Sequence, residues 1–265
     1  MSGPGAVVTG AARGIGLAIT ERLVREGYRV VANDVDASTL YDAAERVGAI
    51  PVPGDGASAD GVRALLASAR ERLGRVDVYV ANAGVDVGAG LDTDDATWGR
   101  ALEVNVMAHV RAARELVPGW LEDGGGGRFV ATASAAGLLT MVGNAPYAVS
   151  KHAAVAFAEW LSATYRDRGV VVQVVCPQGV RTRMTEDVGP LQPLLAGPDA
   201  LEPEDVADAL WEAMADDRFL VLPHPEVRDH YRARVEDTDR WLAGMNRLAL
   251  RLGVPRTGVP AVDRA

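Results

Sequence analysis

The chain has 265 residues, of which 48% are hydrophobic and 24% are charged, and its net charge is −9. These values are typical of a globular protein with a large core, and an acidic chain without a basic stripe argues against a nucleic-acid partner. The longest apolar runs fall far short of the roughly 20 residues that a membrane helix needs, and the first residues do not read as a signal peptide.

Cysteine and histidine usage limits the chemistry further. Cys176 is the single cysteine, so one chain offers no disulfide framework, and we expect it to serve as a small apolar residue. The four histidines, at positions 109, 152, 224 and 230, lack the spacing of metal ligands. We therefore expect no metal site and a cytoplasmic location.

Short β-rich runs alternate with helical stretches along most of the chain. In chain order, the pattern predicts strands at 6–9, 28–32, 49–52, 76–81, 128–132, 170–175 and 219–222. It predicts helices between them at 14–26, 40–47, 59–73, 94–121, 147–168 and 203–215. Seven strands separated by helices indicate an α/β doubly wound (Rossmann) parallel sheet in three layers. Neither a repeat nor a linker interrupts the pattern, so we expect a single domain over residues 1–265.

Two segments depart from the alternation. Residues 183–202 are rich in Gly, Pro and Leu and are expected to form a substrate lid. Residues 225–265 form a C-terminal extension, in which 225–252 reads as a helical arm with Trp241 and Met245 on it. The arm can close a pocket or pack on a neighbouring subunit, and the sequence leaves both open. The tail after Gly253 is expected to be loose.

A glycine-rich loop follows the first predicted strand and opens the first predicted helix. Glycines there permit a tight turn and let a pyrophosphate approach the helix N-terminus. Asp34 follows the second strand, where a carboxylate can accept hydrogen bonds from both ribose hydroxyls and repel a 2′-phosphate. Arg13 argues less directly for the opposite preference, because a cation could meet that phosphate. We therefore expect NAD(H) in preference to NADP(H), with contacts from Gly10, Arg13, Gly14, Ile15, Gly16 and Asp34.

The segment Tyr-Ala-Val-Ser-Lys places Tyr147 and Lys151 on the same side of a predicted helix. One interpretation is a packed tyrosine beside a solvated lysine. The other is a phenol prepared for proton transfer, since a nearby cation lowers a tyrosine pKa from its usual value of about 10. The pair alone does not decide between them.

Taken in order, the motifs resemble those of the short-chain dehydrogenase/reductase family. The resemblance covers about residues 4–223 and rests on several separate pieces. These are the G-x-x-x-G-x-G loop at 10–16, Ala-Asn-Ala-Gly at 81–84, Asn105, Ser134 at 13 residues before Tyr147, the Y-x-x-x-K segment at 147–151, and Cys-Pro-Gln-Gly-Val-Arg-Thr at 176–182.

The resemblance implies an NAD-dependent enzyme that interconverts a secondary alcohol and a ketone. Tyr147 would be the general acid/base, and Ser134 would hold the substrate oxygen near it. Lys151 would bind the nicotinamide ribose and, with the oxidised nicotinamide, favour the phenolate. Asn105 would hold a water that links Lys151 to solvent. Thr182 would contact the carboxamide of the nicotinamide. Further cofactor contacts are implied at Asp55, Asn82, Ala83, Gly84, Pro177, Gly179 and Val180. For Asp55, the competing interpretation is a residue that caps its own loop.

The resemblance also suggests a homotetramer or homodimer that uses the helices at 94–121 and 147–168. Two positions depart from the family pattern: Ala81 stands where the family has Asn, and Gln178 stands where it has Gly. Gln178 either shapes the substrate pocket or is a tolerated loop variation. The tryptophans at 98, 120, 160 and 211 lie at helical positions and are expected in the core.

The substrate pocket is expected beyond the carboxyl ends of the strands. Its expected walls are mainly apolar, and no Arg or Lys cluster stands out among them, which predicts an uncharged and fairly hydrophobic small molecule. The named wall residues are Ser134, Leu138, Met141, Gln178 and Met184. A non-catalytic NAD-binding sensor or scaffold is the main alternative, because a fold does not fix a function. A lyase or epimerase is a further one, although the residues after Leu222 are few for a separate substrate domain.

Overall fold

A computed structural model describes residues 3–186 and 188–255. Seven parallel strands form one sheet in the order β3-β2-β1-β4-β5-β6-β7. This arrangement confirms the predicted doubly wound fold. The strands are β1 (Gly5–Thr9), β2 (Arg29–Asn33), β3 (Ile50–Pro51), β4 (Val78–Ala81), β5 (Gly127–Thr132), β6 (Val170–Val175) and β7 (Leu220–Val221).

Helices cover both faces of the sheet. They are α1 (Gly14–Arg25), α2 (Ala37–Val47), α3 (Ala59–Leu73), α4 (Asp95–Leu102), α5 (Ala108–Glu122), α6 (Ala136–Leu139), α7 (Ala145–Tyr165), α8 (Gln192–Leu195), α9 (Pro203–Asp216), α10 (Glu226–Glu236) and α11 (Thr238–Arg251). A π-helical segment, Glu103–Met107, joins α4 to α5, and single 3-10 turns occupy Arg166–Arg168, Arg183–Thr185 and Gly189–Leu191. Among the described residues, no helix is long and apolar enough to cross a membrane.

Alternating side chains of the strands build two cores. On β1, Val7 faces the layer of α3, α5 and α7, whereas Ala6 and Val8 face the layer of α1 and α9. The strands are rich in Val because a strand buried on both faces gains from an apolar side chain at every position. The alternation therefore fixes which face each helix covers, and all five residues of β1 are buried.

The order of the strands creates a crevice. From β1 the chain runs to β2 and β3 on one side and crosses to β4 on the other, so the loops at the carboxyl ends of β1 and β4 diverge. In open α/β sheets, ligands bind at this switch point. The loop at 10–16, Asp34, the loop at 82–84, Ser134 and the loop at 176–182 all follow the carboxyl ends of strands and meet at this edge.

Three local features differ from the sequence prediction. The long helix predicted at 94–121 is interrupted by the π-helical segment, a distortion often found at functional sites. The helical arm predicted at 225–252 consists of two helices, because Asp237 leaves the helical conformation and caps α11 by accepting a hydrogen bond from Arg240 N. The short helices α6 and α8 were not predicted, since four residues are too few to show a periodic pattern.

Candidate active site

One cavity of about 1220 Å³ extends along the carboxyl edge of the sheet. It is larger than the roughly 300–1,000 Å³ of a typical pocket for one small molecule, so it can hold an extended dinucleotide with a second molecule beside it. One end is lined by the glycine-rich loop and Asp34, and the other by Tyr147, Met141 and the arm.

The start of α7 fixes the position of Tyr147. Asn144 caps the helix by accepting a hydrogen bond from Tyr147 N at 3.0 Å, and Pro146 occupies the first turn, where a missing N–H costs nothing. One face of Tyr147 is open to the cavity. Ser134, which follows β5, lies close enough to the Tyr147 hydroxyl to lower its pKa. Lys151 lies one turn further along α7, with Nζ 5.6 Å from the centre of the Tyr147 ring. The three side chains therefore meet in one place.

Asn105 completes this group from the π-helical segment. It is fully buried; its Oδ1 accepts from Val85 N, and its Nδ2 donates to Val85 O and Ser150 Oγ, each at 2.9 Å. A methyl group on Gly84 would lie 3.2 Å from Asn105 Oδ1 and 3.3 Å from Lys151 Nζ. The side chain of Asn105 thus joins the loop after β4 to α7 close to Lys151, whereas its predicted role in holding a water stays a prediction.

The charges of the site are set mainly by burial. Burial raises the pKa of Tyr147 to about 12, with the hydrogen bond to Ser134 opposing and the charge of Asp86 adding to the shift. Burial also lowers the pKa of Lys151 to about 8, and its Nζ donates to Thr132 O at 3.0 Å. In the protein without its cofactor, desolvation of the phenolate therefore dominates the pKa of Tyr147, and the expectation that Lys151 and the oxidised nicotinamide together favour the phenolate stays a prediction.

Close approach of backbone segments shapes the glycine-rich loop. Gly10 has a φ of 65°, which favours glycine, and a methyl group on it would lie 2.9 Å from Ala83 Cα. Asn82 Nδ2 holds the loop by donating to Thr9 O at 2.9 Å. A methyl group on Gly14 would lie 3.2 Å from Thr182 Cγ2, so segments far apart in sequence enclose this end of the cavity.

Asp34 and Arg13 have different partners. Asp34 lines the cavity, and its carboxylate accepts hydrogen bonds from Ala12 N at 3.1 Å and Asp36 N at 3.0 Å. Arg13 forms an ion pair with Asp36 and donates to Thr39 Oγ1 at 3.2 Å. The cation that could have favoured a 2′-phosphate is thus already neutralised by a carboxylate.

Most of the predicted site residues lie together on the cavity. Besides those above, its lining includes Ile15, Gly16, Asp55, Asn82, Ala83, Gly84, Met141, Pro177, Gln178, Val180, Thr182 and Met184. Asp55 also accepts from Ala57 N at 2.9 Å, as a loop cap does, so both interpretations of it fit.

Two residues that were predicted to contact the substrate or the cofactor do not line the cavity. Leu138 is buried in the core, and its neighbour Leu139 faces the cavity instead, because the short helix α6 turns the chain here. Gly179 packs so closely against the backbone of Leu195 that a methyl group there would overlap the Leu195 carbonyl. Gly179 therefore packs against the segment at 183–202 and does not line the cavity, while the role of that segment as a lid stays a prediction.

The arm docks onto the active-site loops through three sets of hydrogen bonds. Gln178 Nε2 donates to Glu226 Oε1 at 3.0 Å, which gives this departure from the family pattern a role in docking α10. Arg234 donates to Leu138 O and to His152 Nε2. Trp241 Nε1 donates to Leu139 O at 3.4 Å. In this chain the arm therefore lies against its own pocket.

Sequence reasoning did not single out four charged residues that line the cavity: Asp86, Arg100, Arg183 and Arg251. They lie on four different segments, so no local cluster revealed them. Asp86 had a detectable signal, since it comes two residues after the Ala-Asn-Ala-Gly motif.

The remaining candidates fall mostly where expected. Cys176 is fully buried, and burial raises its pKa to about 12, so it is not a nucleophile. His109 is fully buried, and burial lowers its pKa to about 3. Trp160 is 55% exposed, so its predicted core position is wrong; it stacks with Phe157 on the outer face of α7.

Within 3–186 and 188–255, no group of three or more His, Cys, Asp or Glu side chains could hold a metal ion.

Comparison with known proteins agrees with this geometry. Residues 5–192 match the family model described as short chain dehydrogenase. The chain is 39% identical over 244 residues to a 1-deoxy-11-beta-hydroxypentalenate dehydrogenase of Streptomyces exfoliatus, covering 89% of this chain and 88% of the relative. It is 36% identical over 207 residues to an uncharacterized NAD-dependent oxidoreductase of Mycobacterium tuberculosis, covering 71% of this chain and 75% of that protein.

Among solved structures, a short chain dehydrogenase/reductase from Burkholderia phymatum in complex with NAD superimposes with a TM-score of 0.82. The two sequences are 29% identical, and the match covers 98% of this chain and 99% of that one. The chain therefore belongs to the short-chain dehydrogenase family, and it is an oxidoreductase of alcohols or ketones.

Proposed function

We propose that the protein is an NAD(H)-dependent dehydrogenase that oxidises a secondary alcohol on a largely apolar small molecule, and reduces the matching ketone, with Tyr147 as general acid/base. The observation that carries the proposal is the meeting of Tyr147, Ser134, Lys151 and Asn105 beside a cavity that continues to Asp34.

Several features of the cavity fit a dinucleotide. The backbone of the loop at 10–16 approaches Ala83 and Thr182 so closely that methyl groups on its glycines would meet them. Asp34 lies where its carboxylate can accept hydrogen bonds from the ribose hydroxyls, and Arg13 forms an ion pair with Asp36. The NAD complex of the Burkholderia phymatum structure and the naming of the mycobacterial relative support the same cofactor. When bound, oxidised NAD supplies the hydride acceptor and a positive charge that favours the phenolate.

The chain's own residues then carry the proton. Ser134 donates a hydrogen bond to the substrate oxygen and holds it at Tyr147. In oxidation, Tyr147 accepts the hydroxyl proton, which lets the carbinol C–H leave as hydride; in reduction, Tyr147 returns the proton to the carbonyl oxygen. Lys151 binds the nicotinamide ribose, and its ammonium favours the phenolate. Because the pKa of Lys151 is about 8, this support weakens as the pH rises above that value.

The walls around Tyr147 favour an apolar substrate. Val87, Leu139, Met141 and Met184 line the cavity, together with Trp241, Met245 and Leu248 from α11. The 39% identical relative is named for a hydroxylated carboxylate, hydroxypentalenate, and its match spans most of this chain.

The test is turnover with a panel of alicyclic secondary alcohols and NAD, followed through the absorbance of the reduced nicotinamide, with Tyr147→Phe as the control. We expect turnover that Tyr147→Phe lowers by at least about 10²-fold, the scale of general acid–base catalysis. Tight NAD binding without turnover by any alcohol or ketone would instead favour the non-catalytic sensor. Equal turnover by Tyr147→Phe would overturn the assignment of the base.

A further inference from the structure

Helix α11 turns one face toward the cavity. The residues on this face are Trp241, Gly244, Met245, Leu248 and Arg251, at spacings of three, one, three and three, which keeps them on one side of a helix. Trp241 is tied to Leu139 O, next to the active-site residues, so the stripe begins near the proposed reacting end. At about 1.5 Å per residue, Arg251 lies roughly 15 Å along the helix from Trp241.

Along this face of α11, the wall of the cavity is apolar up to Leu248 and becomes cationic at Arg251. Met245 and Leu248 are partly buried against the cavity, whereas Arg251 is exposed at its mouth. The chain just after α11 packs against the loop before α7, because Val254 Cγ1 would lie 3.0 Å from a methyl group on Gly143. An arginine in this position can bind a carboxylate through two parallel hydrogen bonds while its stem remains against apolar side chains.

The charged side chains at the reacting end already have partners within the protein. Asp86 lines the cavity there, and Asn144 Nδ2 holds its Oδ1 at 2.5 Å. Lys151 is close by, but its ammonium donates to Thr132 O and is offset by Asp86. Near Tyr147 the ammonium of Lys151 is thus already engaged by the protein, whereas at the mouth the guanidinium of Arg251 can take up a ligand carboxylate.

The other three arginines of the cavity are less suited to this role, and of these Arg13 is already paired with Asp36. Arg183 follows Thr182, which packs beside Gly14 of the cofactor loop, so Arg183 belongs to the dinucleotide end. Arg100 lies on α4, in the helical run that leads to Asn105 and the loop after β4. Unlike Arg251, neither Arg183 nor Arg100 is joined to the reacting end by a continuous row of apolar side chains.

We propose that the substrate is an amphipathic acid, a largely hydrophobic molecule whose carboxylate is held by Arg251 while its carbinol or carbonyl carbon lies at Tyr147. This inference rests on the proposed dehydrogenase function and replaces the expectation of an uncharged substrate. Arg251 acts as a specificity-determining residue, and Trp241, Met245 and Leu248 contact the apolar body between the two ends.

The experiment compares a hydroxydecalin carboxylic acid with its methyl ester, which keeps the ring and the hydroxyl and removes the charge. The measured quantity is the ratio of kcat/KM for the acid to that for the ester, with NAD, in the wild type, Arg251→Gln and Arg247→Gln. Arg247 is exposed on the same helix and does not line the cavity, so it is the matched control.

We expect the wild type to prefer the acid. Arg251→Gln should lower the acid-to-ester ratio by about ten- to a hundredfold, the range for losing a charge-assisted hydrogen bond, and Arg247→Gln should leave the ratio within about twofold. A ratio unchanged by Arg251→Gln, lowered equally by Arg247→Gln, or in favour of the ester in the wild type would overturn the inference.

A second measurement separates this inference from the proposed function. If neither alcohol is turned over, the thermal shift of the NADH complex is recorded with decalin carboxylic acid, which has no hydroxyl, and with its methyl ester. Greater stabilisation by the acid in the wild type, lost in Arg251→Gln, supports the acid site even though the dehydrogenase proposal then fails. Equal stabilisation by acid and ester overturns the acid site as well.

Discussion

Replacing Asp34 by Asn tests how the protein distinguishes NAD from NADP. The carboxylate is held at the end of β2 by Ala12 N and Asp36 N, and Arg13 is paired with Asp36. The fixed negative charge of Asp34 would therefore repel a 2′-phosphate bound here. Arg13 could not compensate, because it is already paired with Asp36. Asn keeps the size and one acceptor oxygen of the side chain and removes only the charge.

The size of the effect follows from Coulomb's law. Two unit charges 4 Å apart interact by roughly 1 kcal/mol in water and roughly 4 kcal/mol at an effective dielectric constant of 20. Asp34 is only partly buried, so we take about 2–3 kcal/mol, which corresponds to a preference for NAD of roughly 30- to 150-fold. For Asp34→Asn, we expect this preference to fall below about tenfold, with NAD binding weakened only modestly.

The assay is the dissociation constant of each oxidised cofactor, measured by isothermal titration calorimetry at constant ionic strength. Asp42→Asn is the matched control, because Asp42 is an exposed carboxylate on the neighbouring helix α2 and does not line the cavity. Asp36→Asn should release Arg13 and shift the preference further toward NADP. A wild type that binds NADP as tightly as NAD, or an Asp34→Asn variant with unchanged preference, would refute the reasoning.

Four further predictions concern the reaction, the loop, the arm and the assembly. Asp86→Asn should move the rising limb of the pH profile of alcohol oxidation to lower pH, because the charge of Asp86 raises the pKa of Tyr147; an unmoved limb contradicts this coupling. Gly16→Ala should weaken NAD binding by at least about tenfold in calorimetry, since its methyl group would overlap the carbonyl of the first loop glycine; unchanged affinity would show that the loop can relax. Arg234→Ala should lower the free energy of unfolding in urea by about 1–2 kcal/mol, because Leu138 O and His152 lose their donor, and no loss would mean that the arm is held by other contacts. If the expected homotetramer or homodimer uses α7, Trp160→Glu should reduce the mass in light scattering, and an unchanged mass would place the interface elsewhere.

The sequence was sufficient for the parts of the fold that depend on local pattern. β6 and α3 lie at the predicted residues, because a continuous Val run and a well-capped amphipathic stretch are each specified within their own residues. The start of α7 was predicted within two residues, at the point where Asn144 and Pro146 set the first turn. The expectation of a single domain over residues 1–265 stays a prediction.

The remaining parts depend on contacts between distant segments. The π-helical segment around Asn105 is stabilised by the loop after β4 and by Ser150, neither of which is visible in the local pattern. The raised pKa of Tyr147 comes from burial by surrounding segments, and the arginines of the cavity come together only after folding. The hydrogen bond from Gln178 to Glu226 joins residues 48 apart, so sequence reasoning could not decide between its two interpretations.

The position of the arm has a consequence for how this protein can diverge from its relatives. Residues 5–192 match the family model and contain the proposed proton-transfer residues, whereas the wall from Trp241 to Arg251 lies beyond that match. Substitutions on α11 can therefore change which molecule is accepted while the reacting groups remain as they are. Grafting α10 and α11 from one relative onto another, with residue 178 exchanged alongside, is thus a direct route to transferring substrate choice between members of the family.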